Sequence, residues 1–143
     1  MILRDYQERA LGEVRAAMRA GKRRVLLVAP TGAGKTVMAA ALVASAHARG
    51  HRGLAVAHTS ELVGQLARDM RGAGVPVGLL QAGHLPCLDA PMHVGTIQSI
   101  TRRGSRPPAS YGIIDEAHRT AAASYVRLVA AYPDAWWLGL TAT

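Results

Sequence analysis

Four residues of this chain have the types and spacing for phosphate chemistry: Lys35 and Thr36, which close LLVAPTGAGKT (26–36), and Asp115 and Glu116, which close YGIIDE (111–116). In the first stretch an apolar run gives way to glycines and then to lysine and threonine. That order suits a phosphate-binding loop, in which backbone N–H groups cradle an anion where the chain leaves a buried strand and enters a helix. Thr31, Gly32, Ala33 and Gly34 would then form the cradle with Lys35 and Thr36. The lysine would reach the terminal phosphates, and the threonine hydroxyl is suited to binding Mg2+. The usual pattern places glycine where Ala29 stands. Ala29 falls at the strand end, ahead of the binding N–H groups, so its methyl costs little while φ stays negative. In the second stretch an apolar strand ends in adjacent carboxylates, and ligands of open α/β sheets collect at the carboxyl ends of strands. Asp115 and Glu116 are therefore expected beside the loop.

The elements that must position these groups follow from periodicity and punctuation. Helices are predicted at 4–20, 35–49, 60–71 and 121–131, with a short one near Thr96, and strands at 25–29, 53–58, 76–81, 92–95, 111–115 and 136–140. Ser60 is the expected N-cap of the third helix. Pro107 and Pro108 make 102–110 an exposed loop. The alternation predicts one α/β domain, a three-layer arrangement with a mainly parallel central sheet. Trp136 and Trp137 should pack on opposite faces of that sheet. His47 and His51 have metal-ligand spacing, but Gly50 interrupts their helix and disfavours a site.

Composition bounds the partners. The chain has 143 residues, half of them apolar, and a net charge of +8, which suits a polyanionic partner. Cys87 is the single cysteine, so neither an internal disulfide nor a thiolate zinc cluster can form. No apolar run approaches a membrane span, and the expected location is intracellular, in the cytoplasm.

Asp115, Glu116, Ala117 and His118 spell DEAH. With APTGAGKT at 29–36, this makes the chain resemble the first RecA-like, P-loop NTPase lobe of superfamily 2 helicases of the DEAD/DEAH group, where AxxGxGKT is a common form of the loop. LRDYQ (3–7) resembles the element in which a glutamine, here Gln7 with Arg4 beside it, recognises adenine. AHTSELVGQ (57–65), VGTIQSI (94–100) and GLTAT (139–143) resemble the motifs that follow in that family. LRxYQ, DEAHR and GLTAT are most similar to the branch of type III restriction-enzyme motors, XPB-like translocases and RadD-type helicases. The resemblance implies an ATP-dependent helicase or translocase with Mg2+ as cofactor. Asp115 would hold the metal beside Thr36, and Glu116 would activate water. His118, Thr141 and Thr143 would couple the ATP site to nucleic acid, DNA rather than RNA. The strand contacts implied are Thr59, Ser60, Thr96, Gln98 and Ser99, although relatives often carry arginine where Thr59 stands. The family also uses a second RecA-like lobe, which this sequence lacks, so the lobe alone is expected to be nearly inactive. Two other classes remain: a stand-alone nucleic-acid-binding or partner-docking module, and a small-molecule kinase.

Overall fold

The structure is a computed structural model that describes residues 2–30, 32–80, 89–101, 106–117 and 122–142. Its helices are α1 (Asp5–Arg19), α2 (Lys35–Ala48), α3 (Ser60–Gly72), α4 (Ile97–Thr101) and α5 (Ala122–Ala130). Its strands are β1 (Arg24–Val28), β2 (Gly53–Ala57), β3 (Val77–Leu80), β4 (Met92–Thr96), β5 (Tyr111–Ile114) and β6 (Trp136–Thr141). The strands form one sheet in the order β1-β6-β5-β2-β4-β3, and every pairing is parallel. Parallel neighbours need crossover connections, and helices pack on both faces of the sheet.

The predicted three-layer α/β sheet is therefore the observed fold. One face packs against α1, α2 and α3 through Leu11, Met38, Val43 and Leu66, which meet Ala55, Val94, Ile113 and Leu138 from the strands. The other packs against α4 and α5 through Ile100 and Leu128, which meet Leu54, Val56 and Trp137. Strand β2 lies in the middle and is buried along its whole length, which explains why GLAVA carries no polar alternation. The adjacent tryptophans separate as expected. Trp136 stacks on Tyr111 with centroids 5.2 Å apart, whereas Trp137 meets Tyr132 edge-on at 6.2 Å on the opposite face.

One local expectation is corrected. The N-cap of α3 is Thr59 rather than Ser60: Thr59 has extended backbone (φ −130°, ψ 159°), and its side chain accepts the Leu62 N–H at 3.2 Å. Ser60 is already helical. Both hydroxyls suit a cap, and the chain entering from β2 reaches Thr59 while still extended. Among the described residues, no helix is long and apolar enough to cross a membrane.

Two glycine substitutions separate packing from propensity. Gly112 stands opposite Trp137 in the sheet, and a β-carbon there would run into the indole ring. Gly112→Ala should lower stability by about 1–3 kcal/mol, the usual cost of overfilling a close-packed core. Gly12 lies within α1 with nothing near its missing β-carbon, so Gly12→Ala should raise stability by about 0.5–1 kcal/mol. Urea titrations of the two variants provide the check.

Candidate functional site

The glycine-rich turn joins β1 to α2 and is held in shape from behind. Gly32 and Gly34 have φ of 88° and 79°, in the left-handed region that side chains with a β-carbon resist. At Gly34 a β-carbon would also strike the Gln7 amide. Inside the turn, the Ala33 N–H donates to Pro30 O at 3.0 Å. The Ala33 carbonyl accepts two hydrogen bonds from α1, from the Tyr6 hydroxyl at 3.0 Å and from Gln7 Nε2 at 3.1 Å. No peptide in the described chain is cis. In a trans unit the carbonyl and the following N–H point opposite ways, so tying Ala33 O to α1 turns the Gly34 N–H away from α1.

Beyond that turn lies a cleft of about 430 Å³ lined by Gly32, Gly34, Lys35, Thr36, Leu62, Gln65, Leu66, Asp115 and Glu116. The loop residues and the two carboxylates, separated in sequence, thus share one depression at the carboxyl rim of the sheet. The Lys35 ammonium donates to Ala29 O at 3.2 Å, which holds it over the loop. Asp115 continues the β5 ladder by donating its N–H to Val56 O at 2.9 Å, and its Oδ1 accepts the Glu116 N–H at 3.0 Å. Glu116 has φ of 50°. A glutamate pays ~1 kcal/mol to adopt that left-handed geometry, a kind of strain that gathers at functional sites.

Asp115 is only 5% exposed. Burial pushes its carboxyl above the ordinary carboxylate range, and the Glu116 charge adds to the rise; the Glu116 N–H and the Lys35 cation oppose it. A buried carboxyl of this kind gains from a divalent cation. The donors present, one carboxylate and one hydroxyl beside an anion cradle, match Mg2+, which keeps several waters and takes substrate phosphates as ligands.

The other expected residues divide. Arg4 and Gln7 do not line the cleft. Gln7 is buried, its Oε1 accepting the Arg4 N–H at 2.9 Å while its Nε2 grips Ala33, so in this state its amide is committed to the loop. Thr141 is buried under the loop, where its carbonyl accepts the Ala29 N–H at 3.0 Å. Thr59 and Ser60 follow β2, and Thr96 ends the neighbouring β4 with Ala57 opposite it. This sets Thr59, Ser60, Thr96 and the exposed Gln98 along one stretch of the same rim. Thr96 Oγ1 accepts the Ser99 N–H at 3.2 Å and donates to Ser99 Oγ at 3.0 Å. Thr31, His118 and Thr143 lie outside the described residues, as does Cys87. His47 is half-buried near the end of α2, whereas His51 lies beyond it and meets Ser110 Oγ at 3.4 Å.

Sequence reasoning passed over Tyr6 and Gln65. An aromatic residue beside a glutamine at a helix start was the available signal for Tyr6. The signal for Gln65 was its place one turn into the helix that follows Thr59.

The fold is that of the RecA-like lobes of superfamily 2 helicases. The family described as "Type III restriction enzyme, res subunit" matches residues 1–143, and the chain belongs to it. Among solved structures it is similar to the UvsW helicase from bacteriophage T4 (TM-score 0.80, 22% identity), with all of this chain covering 53% of that one. It is also similar to the SWI2/SNF2 ATPase core of Sulfolobus solfataricus in complex with dsDNA (0.81, 18%), covering 100% of this chain and 32% of that one. A third is the type ISP restriction-modification enzyme LlaGI with a DNA substrate mimic (0.75, 19%), covering 100% of this chain and 18% of that one. The chain thus spans about half or less of each. No curated protein shows significant similarity to it.

Two variants test the site physically. Because the folded Asp115 holds its proton more tightly than the unfolded one, the group costs no stability below its ordinary value of 3.8. The cost grows as pH rises toward the elevated folded value and then stays constant. Asp115→Asn should therefore melt higher than the parent near neutral pH in the absence of metal, with the advantage shrinking as pH falls through that window. Tyr6→Phe removes one donor to Ala33. It should weaken tripolyphosphate and ATP equally, by about five-fold for one net hydrogen bond, as read by titration calorimetry.

Proposed function

We propose that this chain is the ATP-binding lobe of a nucleic-acid-dependent motor, a DNA helicase or translocase that couples ATP hydrolysis to movement. The observation that carries the reading is the shared cleft: a cation, a hydroxyl and two carboxylates from opposite ends of the sequence converge beside a left-handed glycine turn. In this reading the Gly32–Thr36 backbone amides and Lys35 bind the β and γ phosphates and neutralise charge as it shifts in the transition state. Asp115 and Thr36 would hold Mg2+, which would supply positive charge beside the phosphates. Glu116 orients the attacking water and accepts its proton.

Arg4 and Gln7 read the adenine, a role that requires the Gln7 amide to exchange a present partner for the base. Thr141, with His118 and Thr143, relays the nucleotide state to the strand-contacting Thr59, Ser60, Thr96 and Gln98. Exposed hydroxyls and a capped helix start are suitable phosphate ligands. The relatives bound to DNA favour DNA over RNA. A second RecA-like lobe completes the site, because an arginine supplied across the cleft is worth ~10³ to 10⁵ in rate, and the lobe alone turns over slowly. Movement on nucleic acid is work done inside the cell, and we place the protein there.

Binding and turnover separate the roles. Lys35→Ala should weaken Mg·ATP binding by ten-fold or more, the scale of a lost charge-assisted hydrogen bond. Glu116→Gln should bind Mg·ATP as well as the parent and reduce the residual hydrolysis by about a hundred-fold or more. An equal loss of affinity in both variants would contradict the assignment.

A further inference from the structure

The net charge of +8 is not concentrated at the cleft, where Lys35 faces Asp115 and Glu116. It gathers at the opposite rim, where strands begin and helices end. Arg19 closes α1, Lys22 and Arg23 lead into β1, and Arg24 begins it. Arg49 caps the end of α2, and Arg52 directly precedes β2. All six are exposed.

Hydrogen bonds stitch these positions into one surface. Arg23 N–H groups reach Asp134 O at 2.7 Å, Arg23 O accepts the Trp137 N–H at 2.7 Å, and Arg52 O accepts the Ser110 N–H at 2.9 Å. Arg15 and Arg49 share a small cleft with His51 and Trp136, and Arg106 borders the neighbouring depression with Asp134. About half of the chain's seventeen Lys and Arg residues thus lie on this rim, with Asp134 among them.

The chemistry of the rim selects among partners. Among the described residues the exposed large apolar side chains are Ile2, Tyr6, Leu26, Val28 and Val126, and none belongs to the rim. Trp136, in the cleft of Arg15 and Arg49, is only partly exposed, so among the described residues no large apolar side chain stands out from this surface as the anchors that centre protein interfaces do. Nearly all its cations are arginines, whose fork of donors matches phosphate oxygens. The starts of β1 and β2 are three strand spacings apart, roughly 14 Å, comparable to the ~12 Å width of a duplex major groove. A row of arginines on that scale can meet phosphates on both sides of a groove.

We propose that this basic rim is a second nucleic-acid contact surface, one that grips duplex phosphates without reading sequence, on the side of the sheet away from the ATP cleft. It rests on the reading of a nucleic-acid partner and adds a place for it remote from Thr59, Ser60, Thr96 and Gln98. Duplex DNA held there stays attached whatever the nucleotide state of the cleft.

The test measures binding of a 20-base-pair duplex as a function of salt, for the protein and for the triple variant Arg19→Glu, Lys22→Glu, Arg49→Glu. Each phosphate contact contributes ~0.9 to the slope of log affinity against log salt. The variant should lose two to three units of slope and at least ten-fold in affinity near 0.1 M salt, while Mg·ATP affinity and melting temperature hold. Unchanged slope and affinity would overturn the rim and leave the motor reading standing if Thr59→Ala with Gln98→Ala still weakened the duplex. Duplex binding that no variant alters, or none by the parent protein, would overturn both. Tighter binding of polyglutamate than of duplex would overturn the proposal in favour of an acidic protein partner.

Discussion

Everything at the candidate site depends on one topological constraint: β6 lies between β1 and β5. The glycine-rich loop leaves β1 and the acidic pair leaves β5, so one strand's insertion sets their separation at two spacings, roughly 10 Å. That gap is wide enough for phosphates and a hydrated cation and narrow enough for the Lys35 charge to act on the Asp115 carboxyl. Thr141 ends the inserted strand, and its carbonyl fixes Ala29 at the base of the loop. A core that failed to seat β6, with Trp137 against Gly112 and Leu138 and Leu140 in the main cluster, would displace the loop from the carboxylates together with the strand.

The second level of control is local. The loop leans on α1 through a single carbonyl that takes two donors. This preorganises the turn, and preorganised amides cost nothing to reorient when an anion arrives. The same contacts commit both ends of the Gln7 amide. On the carboxylate side, burial of Asp115 disfavours its charged form, a cost that a bound cation would offset. Stability is thus lowered where binding can recover it.

Much of this was legible in the sequence because it is local. The glycine-rich turn between β1 and α2 is written in consecutive residues, and the strands are short apolar runs bounded by helices of clear period. Even the tryptophan pair on β6 obeys the two-residue alternation of a strand. What escaped is nonlocal or conformational. Tyr6 takes its place in the site from the carbonyl it meets, which is 27 residues away. The positive φ of Glu116 has no signature in residue type. The choice of Thr59 over Ser60 as cap depends on where the extended chain stops. The basic rim is scattered through the sequence and becomes one surface only because a parallel sheet brings every helix end and strand start to the same edge.

The most direct measurement is paramagnetic broadening of backbone amide resonances by Mn2+·ATP. The account predicts that the signals of Gly34 and Thr36 and those of Asp115 and Glu116 broaden together, and that Lys35→Ala abolishes both sets at the same nucleotide concentration. Broadening confined to one motif, or persisting at the carboxylates without the lysine, would contradict a single shared site.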